Sequence, residues 1–306
     1  MNFKLIFVGT GSSTCTPKIR CVLDGLYCQP CNNAFNNKCK DKRNNVSIAI
    51  KYNDKCVLID CGKTMRESIM NSFPKYGIST VNTIFITHGH ADAIGGLDDI
   101  RDLQKFVKVK SIDKFTNQET QGFKNVSGIL PIYARKETHE TIFNAFPYLF
   151  NSPQYLDEEN LIIARRIALV EAIDIDDNET LNIDGLPIRT FPVYHGGEYI
   201  SLGFDIGHSK LVYISDVKVI PQASMIYLKS LEIDVLVIDV LDRIGIFSHC
   251  SLNEAIEITK ELNPSRVFFV GMACSLGLHD DIENELKIMG LNNYHLAYDG
   301  LVLDLS

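Results

Sequence analysis

Residues 84 to 96 run I-F-I-T-H-G-H-A-D-A-I-G-G. An apolar, β-branched stretch leads straight into His88, His90 and Asp92, and a glycine pair closes the segment. A short run of this kind, bounded by turn residues, predicts a strand. Past its end, alternate residues project to one side. His88 and His90 can therefore offer imidazole nitrogens to one cation, while Asp92 reaches a second position beside it. Gly89 leaves the approach uncrowded, and Gly95-Gly96 lets a following helix pack close. Imidazole with carboxylate suits zinc, manganese or iron. The plainer alternative is two surface histidines beside a helix that Asp92 caps. The strand before and the helix after favour the metal. Such a segment belongs in a layered α/β fold, where loops at strand ends converge on one edge.

The same signal recurs. Phe191-Pro192-Val193-Tyr194-His195-Gly196 delivers a histidine to a strand end, Leu211-Val212-Tyr213-Ile214-Ser215-Asp216 delivers an aspartate, and Leu58-Ile59-Asp60-Cys61-Gly62 does so earlier. Periodicity predicts strands at 3–8, 46–51, 56–59, 84–87, 186–193, 199–206, 210–214, 234–239 and 266–270. It predicts helices at 63–73, 93–106, 136–147, 251–262 and 281–289, with Ser251 and Glu254 forming a capping box. Residues 108–130 are polar, carry Lys108, Lys110, Lys114 and Lys124, and read as a solvated surface insertion. No linker or low-complexity tract divides residues 1–306, so the expectation is one domain of two layered βα halves.

Charge and cysteine use narrow the function. A net charge of −8 argues against a whole-protein footprint for nucleic acid. No apolar run approaches the ~20 residues that cross a bilayer. Residues 1–8 read as a first strand and not as a signal peptide, so a soluble cytoplasmic protein is expected. In a reducing compartment nine cysteines are not a disulfide framework. Cys28-Gln29-Pro30-Cys31 is a knuckle, and Cys21 precedes it by seven positions. Two thiolates on one zinc, with a third from the approaching loop, fit that spacing; the fourth ligand must come from elsewhere. The alternatives are buried free thiols, or a redox pair, which the lack of a helical pattern directly after the knuckle disfavours.

Asp60-x-Gly62, the T-H-G-H-A-D run at 87–92, His195-Gly196 and Ser215-Asp216 together resemble the metallo-β-lactamase superfamily. Within it the chain resembles the PhnP-like branch, named for a cyclic ribose phosphodiesterase of phosphonate breakdown. Gly9-Thr10-Gly11-Ser12-Ser13, residues 96–102, Phe146-Pro147-Tyr148-Leu149, His249 to Ala255, Gly271-Met272 and Ala297-Tyr298-Asp299-Gly300 carry that resemblance. It implies an αββα sandwich of two mixed β-sheets flanked by helices. It implies His88, His90 and His195 as ligands of a first metal, Asp216 as a bridge and Asp92 at a second metal. His249 would be a catalytic general acid, and Asp92 could also orient the water.

The chain departs from the pattern in two places. Ala93 stands where a histidine usually follows the aspartate, and Gly271 stands where the branch has another histidine. The expected second site is thus weaker and richer in oxygen, with His249 or His279 as replacement ligands, and manganese or iron become alternatives to zinc. His139, His208 and His295 lack motif context and read as surface or satisfied residues. The resemblance also implies a structural zinc on three N-terminal cysteines and one distant histidine. Cys274 stands where that histidine should fall, so Cys21, Cys28, Cys31 and Cys274 are the expected set, clipping a loop of about residues 15–45, with Cys39 and Cys15 as rivals.

The implied function is a metal-dependent hydrolase, a phosphodiesterase that turns metal-bound hydroxide on a small or cyclic phosphodiester. Alternatives are a tRNA 3′-processing nuclease, a thioester or lactam hydrolase, or a non-catalytic binding protein of the same fold. Nucleic acid is not the favoured partner, no membrane is expected, and a homodimer is compatible with the sequence.

Overall fold

A computed structural model describes residues 3–36, 39–112, 116–150, 162–163 and 166–305. The strands in chain order are β1 (Phe3–Gly9), β2 (Ser47–Tyr52), β3 (Lys55–Ile59), β4 (Thr83–Phe85), β5 (Phe106–Ile112), β6 (Glu119–Asn125), β7 (Leu130–Ala134), β8 (Ile162–Ile163), β9 (Val170–Asp174), β10 (Thr180–Ile183), β11 (Leu186–Tyr194), β12 (Ile200–Ile206), β13 (Leu211–Ile214), β14 (Val235–Asp239), β15 (Arg266–Val270), β16 (Tyr294–Leu296) and β17 (Val302–Leu305). The helices are α1 (Ile19–Leu23), α2 (Gln29–Asn36), α3 (Met65–Ser72), α4 (Ala91–Ile94), α5 (Lys136–Ala145), α6 (Pro147–Phe150), α7 (Gln222–Lys229), α8 (Leu252–Leu262) and α9 (His279–Ile288).

Two seven-stranded mixed sheets face each other, ordered β17-β1-β2-β3-β4-β7-β9 and β10-β11-β12-β13-β14-β15-β16. The strands are apolar on both faces because both faces are covered. In β1, Leu5 and Phe7 enter the core between the sheets, and Ile6 and Val8 enter the core under the helices of the first sheet. In β14, Val235 and Val237 face inward while Leu236 and Ile238 pack under α7, α8 and α9. Phe85 and Phe204 meet across the sandwich at 5.4 Å. Burying each such side chain contributes about 1.5–3 kcal/mol. The arrangement is the expected αββα sandwich. The halves are interleaved, however, because β17 from the C-terminus pairs antiparallel with β1.

Most expected elements appear within a residue or two, including the Ser251–Glu254 capping box of α8. Two expectations need correction. The helix expected at 93–106 is broken into α4 and a separate 3₁₀ segment, Leu97–Leu103. Here the glycine pair turns the chain onto the Asp60–Gly62 loop: Gly96 donates its N–H to the Cys61 carbonyl at 2.7 Å, and a Cβ at 96 would sit 2.4 Å from the Gly62 carbonyl oxygen.

The insertion at 108–130 is largely a hairpin. β5 and β6 pair from Phe106↔Asn125 to Ile112↔Glu119, β8 joins them, and half of the β5 and β6 residues are exposed. Lysines interleaved with Val107, Val109 and Phe123 blur the period-2 pattern. Lys114 lies outside the described residues.

Finally, a helix does run through the cysteine knuckle, since α2 begins at Gln29. Asparagine-rich α2 has poor intrinsic propensity. Burial of Pro30, Cys31 and Ala34 holds it in place. No helix among the described residues is long and apolar enough to cross a membrane.

Candidate metal centre

β3, β4 and β7 run parallel in the first sheet, as do β13, β14 and β15 in the second. β11 is antiparallel to β12, which is antiparallel to β13, so β11 and β13 share a direction. The ends of these strands open on one rim. There Leu202 of β12 donates its N–H to the Thr87 carbonyl at 3.0 Å, joining the two sheets. Chain segments more than 100 residues apart therefore deliver His88, His195, Asp216 and Asp239 to the same place.

Ligand atoms of His88, His90 and His195 all lie within 4.8 Å of one another, and so do those of His195, Asp216 and His249. Neighbouring groups set which nitrogen of each ring is free. His88 Nδ1 lies 2.8 Å from Thr87 Oγ1, which in turn donates to the buried Asp60 carboxylate at 2.9–3.0 Å. That relay makes Nδ1 the protonated nitrogen and leaves Nε2 a lone pair. His195 Nδ1 donates to the Ser248 carbonyl at 2.9 Å, so its Nε2 is likewise free, and it lies 3.2 Å from His90 Nδ1.

Charge follows burial. Burial pushes His88 down to about 3, which keeps it a neutral ligand at neutral pH. Burial also lowers His195. Burial would raise Asp216, but the facing His88, His195 and His249 rings outweigh it and hold the carboxyl below its ordinary range. Asp92 is raised, by burial and then by the nearby Asp216.

Among the described residues, His88 Nε2 and Asp216 Oδ2, two buried donor atoms in the cluster, have no hydrogen-bond partner. Buried polar atoms without partners are costly. A divalent cation would satisfy both, and the donor set of imidazoles and one carboxylate fits zinc, manganese or iron. The residues present therefore fit a metal.

The positions of the two missing histidines are filled otherwise. Ala93 is 2% exposed and sits in the apolar core under the first sheet. At Gly271 (φ +76°) a Cβ would come 2.2 Å from Asp239 Oδ1. Asp239 occupies the space an imidazole would need. Its Oδ2 lies 2.7 Å from His249 Nδ1 and accepts the Val217 N–H at 3.2 Å. Burial lowers the His249 imidazole, but the Asp239 carboxylate outweighs it and raises the group to about 9.

His279 does not reach this cluster, and its reading as a replacement ligand is corrected. It lies on α9 with Nδ1 3.1 Å from the guanidinium of Arg43 and its backbone N–H on Asp41 at 2.8 Å. Arg43 is buried, donating to the Ala297 carbonyl at 2.7 Å and to Thr10 Oγ1 at 3.0 Å. His279 thus braces the N-terminal loop. His139 is buried and satisfied by Asp174 and the Ile132 carbonyl.

The cysteine set comes together as expected. The sulfurs of Cys21, Cys28, Cys31 and Cys274 lie within 4.8 Å of one another. Cys15 accepts from Asn45 Nδ2 at 3.2 Å, and Cys39 lies 4.0 Å from the Asp41 carboxylate, so neither rival joins them.

Sequence reasoning missed two residues of the centre. Asp239 ends the apolar run Val235–Ile238, the same strand-end signal that picks out Asp60 and Asp216. Tyr199, whose ring lies 4.9 Å from that of His90, carried no signal.

A family model described as the beta-lactamase superfamily domain matches residues 55–272. The chain is 23% identical over 299 residues to an octanoyltransferase of Porphyromonas gingivalis, covering 97% of this chain and 51% of that protein. It therefore spans about half the length of that curated relative. Among solved structures it is similar to a diphosphatase from the PhnP family, with a TM-score of 0.76 and 27% identity over 99% of this chain and 97% of that one. It shares its fold with zinc-bound PqqB of Methylobacterium extorquens (TM-score 0.69, 16% identity, 99% and 100% covered) and with the short form of human tRNase Z (0.56, 16%, 99% and 99%). With the rim geometry and the family model over residues 55–272 together, the chain belongs to the beta-lactamase superfamily.

Proposed function

We propose that the chain hydrolyses a small phosphoester, most simply a linear or cyclic phosphodiester, at a centre holding one catalytic cation. The observation that carries this is the pair of overlapping donor groups sharing His195, with His88 Nε2 and Asp216 Oδ2 buried and unpartnered. His88, His90, His195 and Asp216 would hold the cation. When bound, it would lower the pKa of a water from 15.7 to about 7 and offset the charge of the phosphate oxygens. Asp92, buried beside Asp216, is placed to orient that water. His249, bound through Nδ1 to Asp239, has a ring nitrogen within 4.8 Å of donor atoms of Asp216 and His195, and would supply the proton that a leaving oxygen needs. The net charge of −8 supports a small substrate over tRNA. The likeness to a PhnP-family diphosphatase supports phosphoester chemistry.

Protein purified without chelator should carry two metals per chain, one at the histidines and one at the cysteines. It should hydrolyse bis(p-nitrophenyl) phosphate in a zinc- or manganese-dependent way. No turnover with any divalent cation would instead favour a binding protein.

The second metal is a zinc on Cys21, Cys28, Cys31 and Cys274, clipping the α1–α2 segment to the far half of the chain. α1 buries none of its residues and has little packing of its own, whereas α2 is anchored by buried Pro30, Cys31 and Ala34. Cys28→Ser should lose one zinc per chain while the histidine-bound metal stays. Limited proteolysis should then cut within residues 15–45. A variant that keeps both metals and resists protease there would count against the clip.

A further inference from the structure

Tyr199 touches the metal centre from three directions. It lies in the turn between β11 and β12, where the His195 N–H donates to the Tyr199 carbonyl at 2.8 Å and the Tyr199 N–H donates to Gly196 at 3.1 Å. Its hydroxyl oxygen accepts the N–H of Gly89 at 3.0 Å. Gly89 is the residue between the two histidines of the first loop. The phenol ring lies nearly parallel to His90, with centroids 4.9 Å apart and planes at 13°. The same ring stands edge-on to His88 at 6.2 Å.

The contrast with the other imidazoles explains why this matters. His88 is buried and its Nδ1 is held by Thr87; His195 is buried and its Nδ1 is held by Ser248. His90 is exposed, and the hydrogen-bond partner found for its ring is His195 itself, another donor of the cluster. Among the described residues it has no hydrogen-bonded carboxylate, hydroxyl or carbonyl of the kind that orients a metal-binding histidine from behind. Stacking on a phenol, with the preceding amide pinned by the same side chain, is what restrains it.

We infer that Tyr199 is a positioning residue for the metal centre, holding the His88-Gly89-His90 turn in register with His195. The inference rests on the reading of those three histidines as metal ligands. Tyr199 touches neighbours of the cation and not the cation itself. Its contribution is to remove conformational freedom from His90 before binding, which raises metal affinity by lowering the entropy lost. The near-parallel ring contact limits how far the imidazole can rotate away from that geometry. The hydroxyl adds a neutral hydrogen bond.

The test is cobalt binding by protein that retains its cysteine-bound zinc, with the histidine site cleared by dialysis against a mild chelator and both contents checked by metal analysis. Tyr199→Leu removes ring and hydroxyl. It should weaken cobalt binding about 10–100-fold, the range typical of groups that orient ligands. The visible absorption band should shift as the coordination geometry loosens. Tyr199→Phe keeps the stack and should recover most of that affinity, with the wild-type spectrum. Tyr199 is 42% exposed, so both variants should melt within a few degrees of wild type.

Cobalt affinity of Tyr199→Leu within about twofold of wild type, with an unchanged spectrum, overturns the inference. Should the leucine variant fail to fold, a phenylalanine variant with wild-type band position supports the stack, and one as weak as a histidine-ligand deletion overturns it. Wild-type protein that takes up no cobalt at the histidines refutes the metal reading itself, a result distinct from equal binding by wild type and variant.

Discussion

Replacing His195 with alanine should lower kcat/KM for a phosphodiester by about 10³-fold or more, because the cation's stabilisation of transition-state charge is worth several kcal/mol and each 1.36 kcal/mol is tenfold. His195 is the sharpest choice because it belongs to both donor groups, so its loss removes a ligand whichever way the cation leans. Its side chain is buried, with its Nδ1 on the Ser248 carbonyl. Alanine leaves a cavity and an unpaired carbonyl there, and a loss of about 1–3 kcal/mol of stability is expected alongside. Metal analysis separates the two effects. The variant should be folded, keep the cysteine-bound zinc, and carry far less than one further metal per chain. Near-wild-type turnover with full metal content would show that the reaction does not use this centre.

The second large effect concerns His249. Its Nδ1 is bound to Asp239 at 2.7 Å, and a nitrogen of its ring lies within 4.8 Å of donor atoms of His195 and Asp216. General acid catalysis contributes roughly 10²–10⁴-fold when the leaving oxygen is a poor leaving group. His249→Ala should therefore lose about that factor on an alkyl phosphodiester and much less on a p-nitrophenyl ester, whose leaving group departs without a proton. Metal content should stay near wild type. Asp239→Asn should shift rates in the same direction, less steeply, because the ring keeps its place and loses its ionic partner. Equal losses on both substrate types, or loss of metal from the His249 variant, would show that the imidazole coordinates and does not donate.

These two residues also show how far local sequence reaches. His195 was readable because it ends a run of strand residues and stands before a glycine. The same reading, applied to Asp239, would have found the partner of His249, for it too ends a strand. Its meaning appears only where Gly271, from the neighbouring strand end, leaves room for its carboxylate. The opposite failure occurred at His279. Its place in a region resembling a metal-binding stretch suggested a ligand, but α9 directs it onto Arg43 and away from the rim. The broken helix after Asp92 was misread for a related reason: its pattern is decided by what packs opposite, a glycine against the Cys61–Gly62 backbone.

By itself the sequence determined the double-faced apolar strands, the chemistry waiting at their ends, and the knuckle spacing of Cys21, Cys28 and Cys31. Those features depend on residue type and on the two-residue repeat of an extended chain, both of which are local. Only the tertiary structure decided which strand ends share a rim and which histidine stands apart from it. It also set Tyr199 against the ring of His90 and Asp239 against that of His249. Such contacts join residues far apart in the chain, and close packing between sheets, which no stretch of sequence contains, sets their distances.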